Sequence, residues 1–396
     1  MQQTEQQIFL NHIAQTSPFP FLIEIEKAKG VYLYDKNGKS YMDLISGVAV
    51  SNLGHQHPKV IEAIKSQVDK HLHTMVYGEY VQSSVNQLAK TLTSHLPSHL
   101  NSVYFCNSGA ESIEGALKLA KRITGRTELL SFKGAYHGST HGALSISSNE
   151  NKKYRFRPLL PDVGFLKLND FEGLDRITTK TACVIIETIQ GDAGVRIPQQ
   201  NFLKALRKKC NETGTILIMD EIQSGIGRTG KLFAFEHFDV EPDILCTAKA
   251  LGGGLPLGAF IAKKEYMDLF TKNPMLGHIN TFGGNPVSCA ASAATLEVIL
   301  EDGFLEDVER KGKIFEDSIR HPAIKEIRRI GMMFAIEFDS AEIVSKIVQE
   351  CLKNGVICFW FLSCPDSFRI APPLTINDDE INTACEVINN AIKKSI

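Results

Sequence analysis

ACVIIE (182–187), FLKALRKKCNE (202–212), TILIMD (215–220) and PDILCTA (242–248) follow one another in a single stretch, and their order decides the fold. Three are short apolar runs rich in β-branched residues, the length of buried strands. The second has the apolar spacing of a helix. Strand and helix in alternation predict a mostly parallel sheet with helices on both faces. The pattern extends towards the N-terminus through SVYFCN (102–107), the helical run ESIEGALKLAKRI (111–123) and ELLSF (128–132).

The flanks are patterned differently. GVYLYDKNGKSYMDL (30–44) alternates about Asn37-Gly38, a hairpin signal. From residue 286 come two long helical patterns, strand-like EIRRIG and MMFAIEF, a helix near 341–354 and a closing helix at 378–394. The expected fold class is α/β: a large cofactor-binding domain over 51–285, its mostly parallel sheet covered by helices, and a small α+β domain combining 1–50 with 286–396. A cleft between the two is the default seat of a ligand.

The 396 residues carry 43 Lys+Arg against 45 Asp+Glu, a net charge of −2. Such a balance offers no attraction to nucleic acid or to a membrane surface. The opening MQQTEQQIFLNHIAQ lacks the basic-then-apolar order of a secretion signal, and no apolar run approaches the ~20 residues that span a bilayer. We therefore expect a cytoplasmic protein. The 9 cysteines contain no C-x-x-C pair and several sit in apolar runs, so they read as reduced packing residues, with no metal site.

Ligands of parallel sheets bind beyond the carboxyl ends of strands. Glu187 closes one candidate strand, Asp220 a second, and Lys249 follows a third. An acid at a strand end is commonly a helix cap, and a lysine is commonly a solvated charge. The setting of Lys249, TAKALGGGLPLGA, leaves little room for a solvated face. Small neighbours let a flat ligand approach and strip water from the amine, which lowers its pKa and makes it a nucleophile able to form a Schiff base. Asp220, 29 residues upstream, is an acid suited to a ring nitrogen that must stay protonated, as in a pyridoxal ring. NSGAES (107–112) ends a strand and opens a helix, where the amides of Gly109 and Ala110 would meet a phosphate; a plain capped turn is the simpler alternative. Gly225-Ile-Gly-Arg-Thr-Gly230 matches the dinucleotide fingerprint G-x-G-x-x-G. It does not follow its strand directly, and KLFAFEHF after it makes a poor first helical turn, so a dinucleotide site is not expected.

Taken together, these segments resemble the class III (fold type I) pyridoxal-phosphate aminotransferases, the acetylornithine and ornithine group in particular. The likeness runs from NGKSYMDLISGVAVSNLGHQHP (37–58) to RIAPPL (369–374). It is densest in NSGAESIEGALKLAKRITGR, AYHGST, IIETIQGDAGV, ILIMDEIQSGIGRTGKLFAFEHF, PDILCTAKALGGGLPLGA and NTFGGNPVSCAA. The resemblance implies pyridoxal 5′-phosphate held as an imine on Lys249, which then carries the substrate proton. It implies Asp220 at the ring nitrogen, Ile222 under the ring, Gln223 near the ring hydroxyl, Tyr136 stacked on it, and Glu187 close by. Gly109 and Ala110 match the phosphate turn. Thr281 matches a threonine that reaches the neighbouring subunit's phosphate, which implies a homodimer with shared active sites. Arg369 matches the arginine that binds the 2-oxo acid carboxylate. Asp192, where relatives usually carry Glu, matches the acid that covers this arginine in one half-reaction; a plain loop acid is the alternative.

The implied reaction is a ping-pong transfer of an amino group from ornithine, N-acetylornithine or a related ω-amino compound to 2-oxoglutarate. The sequence departs from the pattern at Ser139, where many relatives carry an arginine for the donor's distal carboxylate. Thr16 and Val48 match positions that are tyrosines in ornithine-specific enzymes. Arg155 or Arg157 is a candidate replacement cation, with surface charge as the simpler reading. The alternatives are 4-aminobutyrate, an amine lacking a distal carboxylate, or a mutase or racemase reaction on the same cofactor.

Overall fold

A computed structural model of the chain describes residues 3–76 and 78–396. Its centre is a seven-stranded sheet in the order Ser102–Cys106, Gly258–Ala262, Ile244–Thr247, Ile216–Asp220, Thr181–Glu187, Glu128–Phe132 and Val163–Leu166. Only Gly258–Ala262 runs antiparallel to its neighbours. All the other strands therefore end on one edge. The mostly parallel sheet expected from the sequence is present, with two strands the apolar runs had not marked, Val163–Leu166 and Gly258–Ala262.

Side chains along each strand alternate between two cores, as the period of two requires. Val184 and Ile186, with Leu217, Met219 and Leu245, face helices Ser83–Ser94 and Gln200–Thr213. Cys183 and Ile185, with Ile218 and Cys246, face helix Gly109–Thr124. Because both faces are covered, Thr181–Glu187 and Ile216–Asp220 are buried along their whole length, which is why they read as unbroken apolar runs. All 9 cysteines are free thiols and buried.

The flanking parts build two four-stranded sheets. One joins Ile25–Lys29, Tyr32–Asp35 and Ser40–Asp43 to Val356–Ile357, so the N-terminal hairpin and the C-terminal segment share a sheet. The other is ordered Glu326–Ile330, Met333–Glu337, Ser367–Ile370, Phe359–Trp360. A second core of Phe315, Phe334, Phe338, Ile347, Phe368, Ile381 and Ile388 lies among these strands and helices Phe304–Ser318, Ala341–Lys353 and Asp378–Ser395. Helix Pro286–Ile299 packs on Pro58–Val68 and Ser83–Ser94 within the large-sheet core. Its packing puts it with the large sheet, whereas a division at 286 assigns it to the smaller part. Among the described residues no helix is long and apolar enough to cross a membrane.

Candidate active site

The strand ends of the large sheet and residues 359–369 of the smaller part enclose a cavity of about 510 Å³. Lys249, Asp220, Glu187, Gly109, Ala110, Tyr136, Ser139, Asp192, Ile222, Gln223, Arg369 and Val48 all line it. Of the residues singled out in the sequence, Thr281 does not line this cavity and is exposed, and so is Thr16. Arg155 and Arg157 are also exposed, the latter paired with Glu150.

The register of the sheet explains the meeting of the acids. Glu187 and Asp220 are partners in adjacent parallel strands, both at the carboxyl end, so both carboxyls emerge at one level. Glu187 accepts the amide N–H groups of Tyr136 (2.8 Å) and Gly191 (2.9 Å). Burial pushes its carboxyl up to about 7, with Asp220 adding to the rise and His137 opposing it. Asp220 accepts from Ile222 N–H at 3.0 Å through one oxygen and faces His137 Nδ1 at 2.7 Å through the other. His137 Nε2 meets the Ser131 hydroxyl at 3.3 Å, so the carboxylate is tied to a buried imidazole and fixed in direction. His137 adjoins Tyr136 in AYHGST, yet nothing in the spacing reveals that it meets Asp220.

Lys249 begins the short 3₁₀ turn after Ile244–Thr247, with φ +51°. Its amine has no hydrogen-bond partner among the described residues. Burial lowers its pKa to about 8; Asp220 and Glu187 pull it upward and Arg369 lowers it further. Ser108 caps helix Gly109–Thr124 by accepting from Glu111 N–H at 3.2 Å, which leaves the first-turn amides of Gly109 and Ala110 at the cavity wall. Two glycines here are packed too closely to carry a side chain. A Cβ on Gly109 would come within 2.9 Å of the Ile222 side chain, and one on Gly138 within 2.9 Å of the Ala110 Cβ. Val48 is carried by four consecutive left-handed residues, Ser46 to Ala49, a conformation that costs an L-residue roughly 1–2 kcal/mol. Asp43 holds the turn by accepting N–H from Ile45 and Ser46, and Ser46 Oγ donates to the Ala371 carbonyl at 2.8 Å.

Opposite the strand ends, Arg369 is buried over the ring of Phe361, its guanidinium carbon 4.3 Å from the centroid. Its Nη2 donates to Asp192 at 3.2 Å, while its buried Nε has no partner among the described residues. Burial lowers its pKa, and Asp192 opposes that shift. Asp192 also accepts from Ser363 Oγ (2.6 Å), Lys152 Nζ (3.2 Å) and Leu362 N–H (3.3 Å). Burial pushes its carboxyl up, but Ser363, Lys152 and Arg369 outweigh burial and hold it below the usual carboxylate range. Lys152, Ser363 and Phe361 were not marked in the sequence.

Pyridoxal phosphate fits this donor set. An unpartnered, desolvated amine suits an aldehyde, and a helix N-terminus packed too tightly for side chains suits a phosphate. A buried carboxylate fixed by an imidazole suits a cationic ring nitrogen.

Comparison with known proteins agrees. The family model "Aminotransferase class-III" matches residues 13–392. The chain is 41% identical to the acetylornithine aminotransferase of Methanopyrus kandleri, covering 97% of each chain. It is 40% identical to that of Bacillus subtilis over 93% of this chain and 95% of the other. The ornithine aminotransferase of Toxoplasma gondii, whose structure is described with PLP at partial occupancy in the active site, superposes with a TM-score of 0.89 at 30% identity, covering 98% and 94% of the two chains.

Proposed function

The chain belongs to the class-III aminotransferases, which use pyridoxal phosphate, and on that premise we propose that it takes the terminal amino group of an N-acylated ω-amino acid of the acetylornithine kind and passes it to 2-oxoglutarate. The observation that carries this reading is the Arg369–Asp192 pair facing Lys249 across one cavity. An arginine half-satisfied by an aspartate can receive the planar carboxylate of a 2-oxo acid, and a covered arginine tolerates a donor that brings an amine there instead.

When bound, pyridoxal phosphate supplies a cationic conjugated ring that accepts the electron pair left at the donor carbon. Lys249 Nζ would hold the coenzyme and carry the proton that leaves one carbon and arrives at another. Asp220, kept in place by His137, would hold the ring nitrogen's proton. The amides of Gly109 and Ala110 would take the phosphate, Tyr136 and Ile222 would flank the ring, and Gln223 would reach its hydroxyl. Glu187, its carboxyl pushed up to about 7 by burial, carries only part of a negative charge beside Asp220 at neutral pH.

The same reading includes a cytoplasmic homodimer. In support, Leu72, Met75, Val81, Met275, Ile279 and Phe282 are exposed apolar side chains on two segments that meet where Asn285 Nδ2 donates to the Leu72 carbonyl at 3.1 Å and His73 lies against Phe282. Thr281 lies on one of these segments, where a second copy would bury it beside its own phosphate seat. Sedimentation that gave a monomer at micromolar concentration would count against shared sites.

The experiment is a donor panel with 2-oxoglutarate: N-acetylornithine, ornithine, 4-aminobutyrate and 1,5-diaminopentane, run with native protein and Lys249→Ala. Native protein should favour N-acetylornithine. The variant should lose about 10³-fold or more in turnover, since it lacks both the covalent anchor and the proton carrier. Residual transamination near the native rate would overturn the role of Lys249.

A further inference from the structure

A second cavity of about 350 Å³ adjoins the first and shares Tyr136 and Ser139 with it. Its wall is mainly apolar, from Ala135, Leu144 and Phe156. One cation stands at the junction. Lys152 lines the second cavity, lies 5.4 Å from the Tyr136 ring centroid, and reaches Asp192 at 3.2 Å. Asn149 and Ser363 lie beside it, their side chains 3.3 Å apart.

The charges at this junction do not balance. One carboxylate, Asp192, serves two cations, Arg369 and Lys152, so these three directly paired groups have one positive charge in excess, with Glu187 acting on Arg369 from farther away. A ligand that brings one more carboxylate neutralises that excess; a ligand that brings an ammonium adds a like charge. Resting on the aminotransferase reading above, we propose that Lys152 is the specificity-determining residue for the far end of the substrate. It takes the distal carboxylate that Ser139 cannot hold, while the second cavity admits the neighbouring acyl group. The class selected is therefore an ω-amine whose far end carries a carboxylate and no free ammonium. The acceptor's second carboxylate uses the same lysine.

Lys152→Met and Lys152→Arg test this in the cofactor-loaded protein. With Lys152→Met, KM for N-acetylornithine and for 2-oxoglutarate should rise about ten- to a hundredfold, the range for a lost charged hydrogen bond, with little change in kcat. Turnover of 1,5-diaminopentane with pyruvate, neither of which has a distal carboxylate, should not fall, and KM for the diamine should drop, because its far ammonium no longer meets a like charge. The preference for N-acetylornithine over ornithine should narrow, and Lys152→Arg should restore most of it. Equal losses for all four substrates would mean that Lys152 acts only through Asp192 and would overturn the proposal, as would no loss for any. Calorimetric titration with glutarate, an unreactive dicarboxylate, reads the same site without turnover. Weaker binding to Lys152→Met than to native protein is expected even if transamination of the donors fails, and unchanged binding refutes the role of the lysine.

Discussion

An amine at a pKa of about 8 is the most consequential property of any single residue in this protein. Burial is the first cause of the lowering, and Asp220 is the strongest opposing influence. The sign gives a prediction. Only the neutral amine attacks an aldehyde, so capture of pyridoxal phosphate by cofactor-free protein should speed up as pH rises and level off above about pH 8. An exposed lysine would level off near 10.5. Replacing Asp220 by Asn removes the carboxylate that favours the ammonium, so the midpoint should move below 8. Absorbance of the bound coenzyme follows both, and a native midpoint close to 10.5 would remove the basis for calling Lys249 desolvated. At this scale the legible residues were those whose signal was local. Glu187 and Asp220 end apolar runs, and Lys249 sits among small residues. His137, Lys152 and Ser363 had no such signal, because their partners stand 83, 40 and 171 positions away in the chain. The cation expected at Arg155 or Arg157 is three or five residues from Lys152, which lines the adjoining second cavity, and periodicity cannot choose among neighbouring loop cations.

Among the elements, helix Gly109–Thr124 does the most positioning, because its N-terminus forms the anion seat and its flank lies on the sheet. The flank is close because residue 115 is glycine: a Cβ there would come 2.2 Å from Cε1 of Phe260, a ring that is itself fully buried. Alanine would gain about 1 kcal/mol of helix propensity and lose roughly 1–3 kcal/mol to overpacking. We therefore predict that Gly115→Ala lowers stability to denaturant and weakens coenzyme retention, since the helix must lift and carry Gly109 and Ala110 with it. An unchanged denaturation midpoint with unchanged retention would show that Phe260 can move aside. This helix was legible from its periodicity, and the fully buried strands from their unbroken apolar runs. Gly258–Ala262 was not, because GAFIA is short and follows a glycine-rich segment that draws attention to Lys249. Its antiparallel direction has a simple cause. Only residues 248–257 separate it from Ile244–Thr247, too few for the crossover of a dozen or more residues that a parallel neighbour requires.

Over the whole molecule, the site exists only while the smaller part holds Arg369 opposite Lys249, and one residue joins the chain segments concerned. Arg228, from the glycine-rich GIGRTG run, is fully buried. It donates to the carbonyls of Met332 (3.0 Å) and Pro372 (2.6 Å) and to the Asn52 side chain, while Asn52 donates back to the Ile226 carbonyl at 2.6 Å. Gly331 lies against this loop too closely for any side chain, its would-be Cβ 2.5 Å from the Thr229 carbonyl carbon. The run that imitates a dinucleotide fingerprint thus ties the large sheet to the segments around residues 52, 332 and 372. A motif cannot announce that, because the partners come from residues 52, 332 and 372. Burial lowers the Arg228 pKa to about 9, with Asp43 opposing, so the charge is held at a cost. Replacing it by Met removes that cost, and fully apolar replacements of buried ions are sometimes neutral. Here three acceptors on three segments would lose their donor at once, at about 1–3 kcal/mol for each one left dry. Loss should win. We predict that Arg228→Met lowers unfolding free energy by roughly 3–5 kcal/mol and raises KM for the 2-oxo acid, because Pro372 and Arg369 belong to one short segment. Denaturant melts and acceptor saturation curves measure the two effects. A variant as stable as native, with an unaltered acceptor KM, would show that the joint is held by the apolar cores alone.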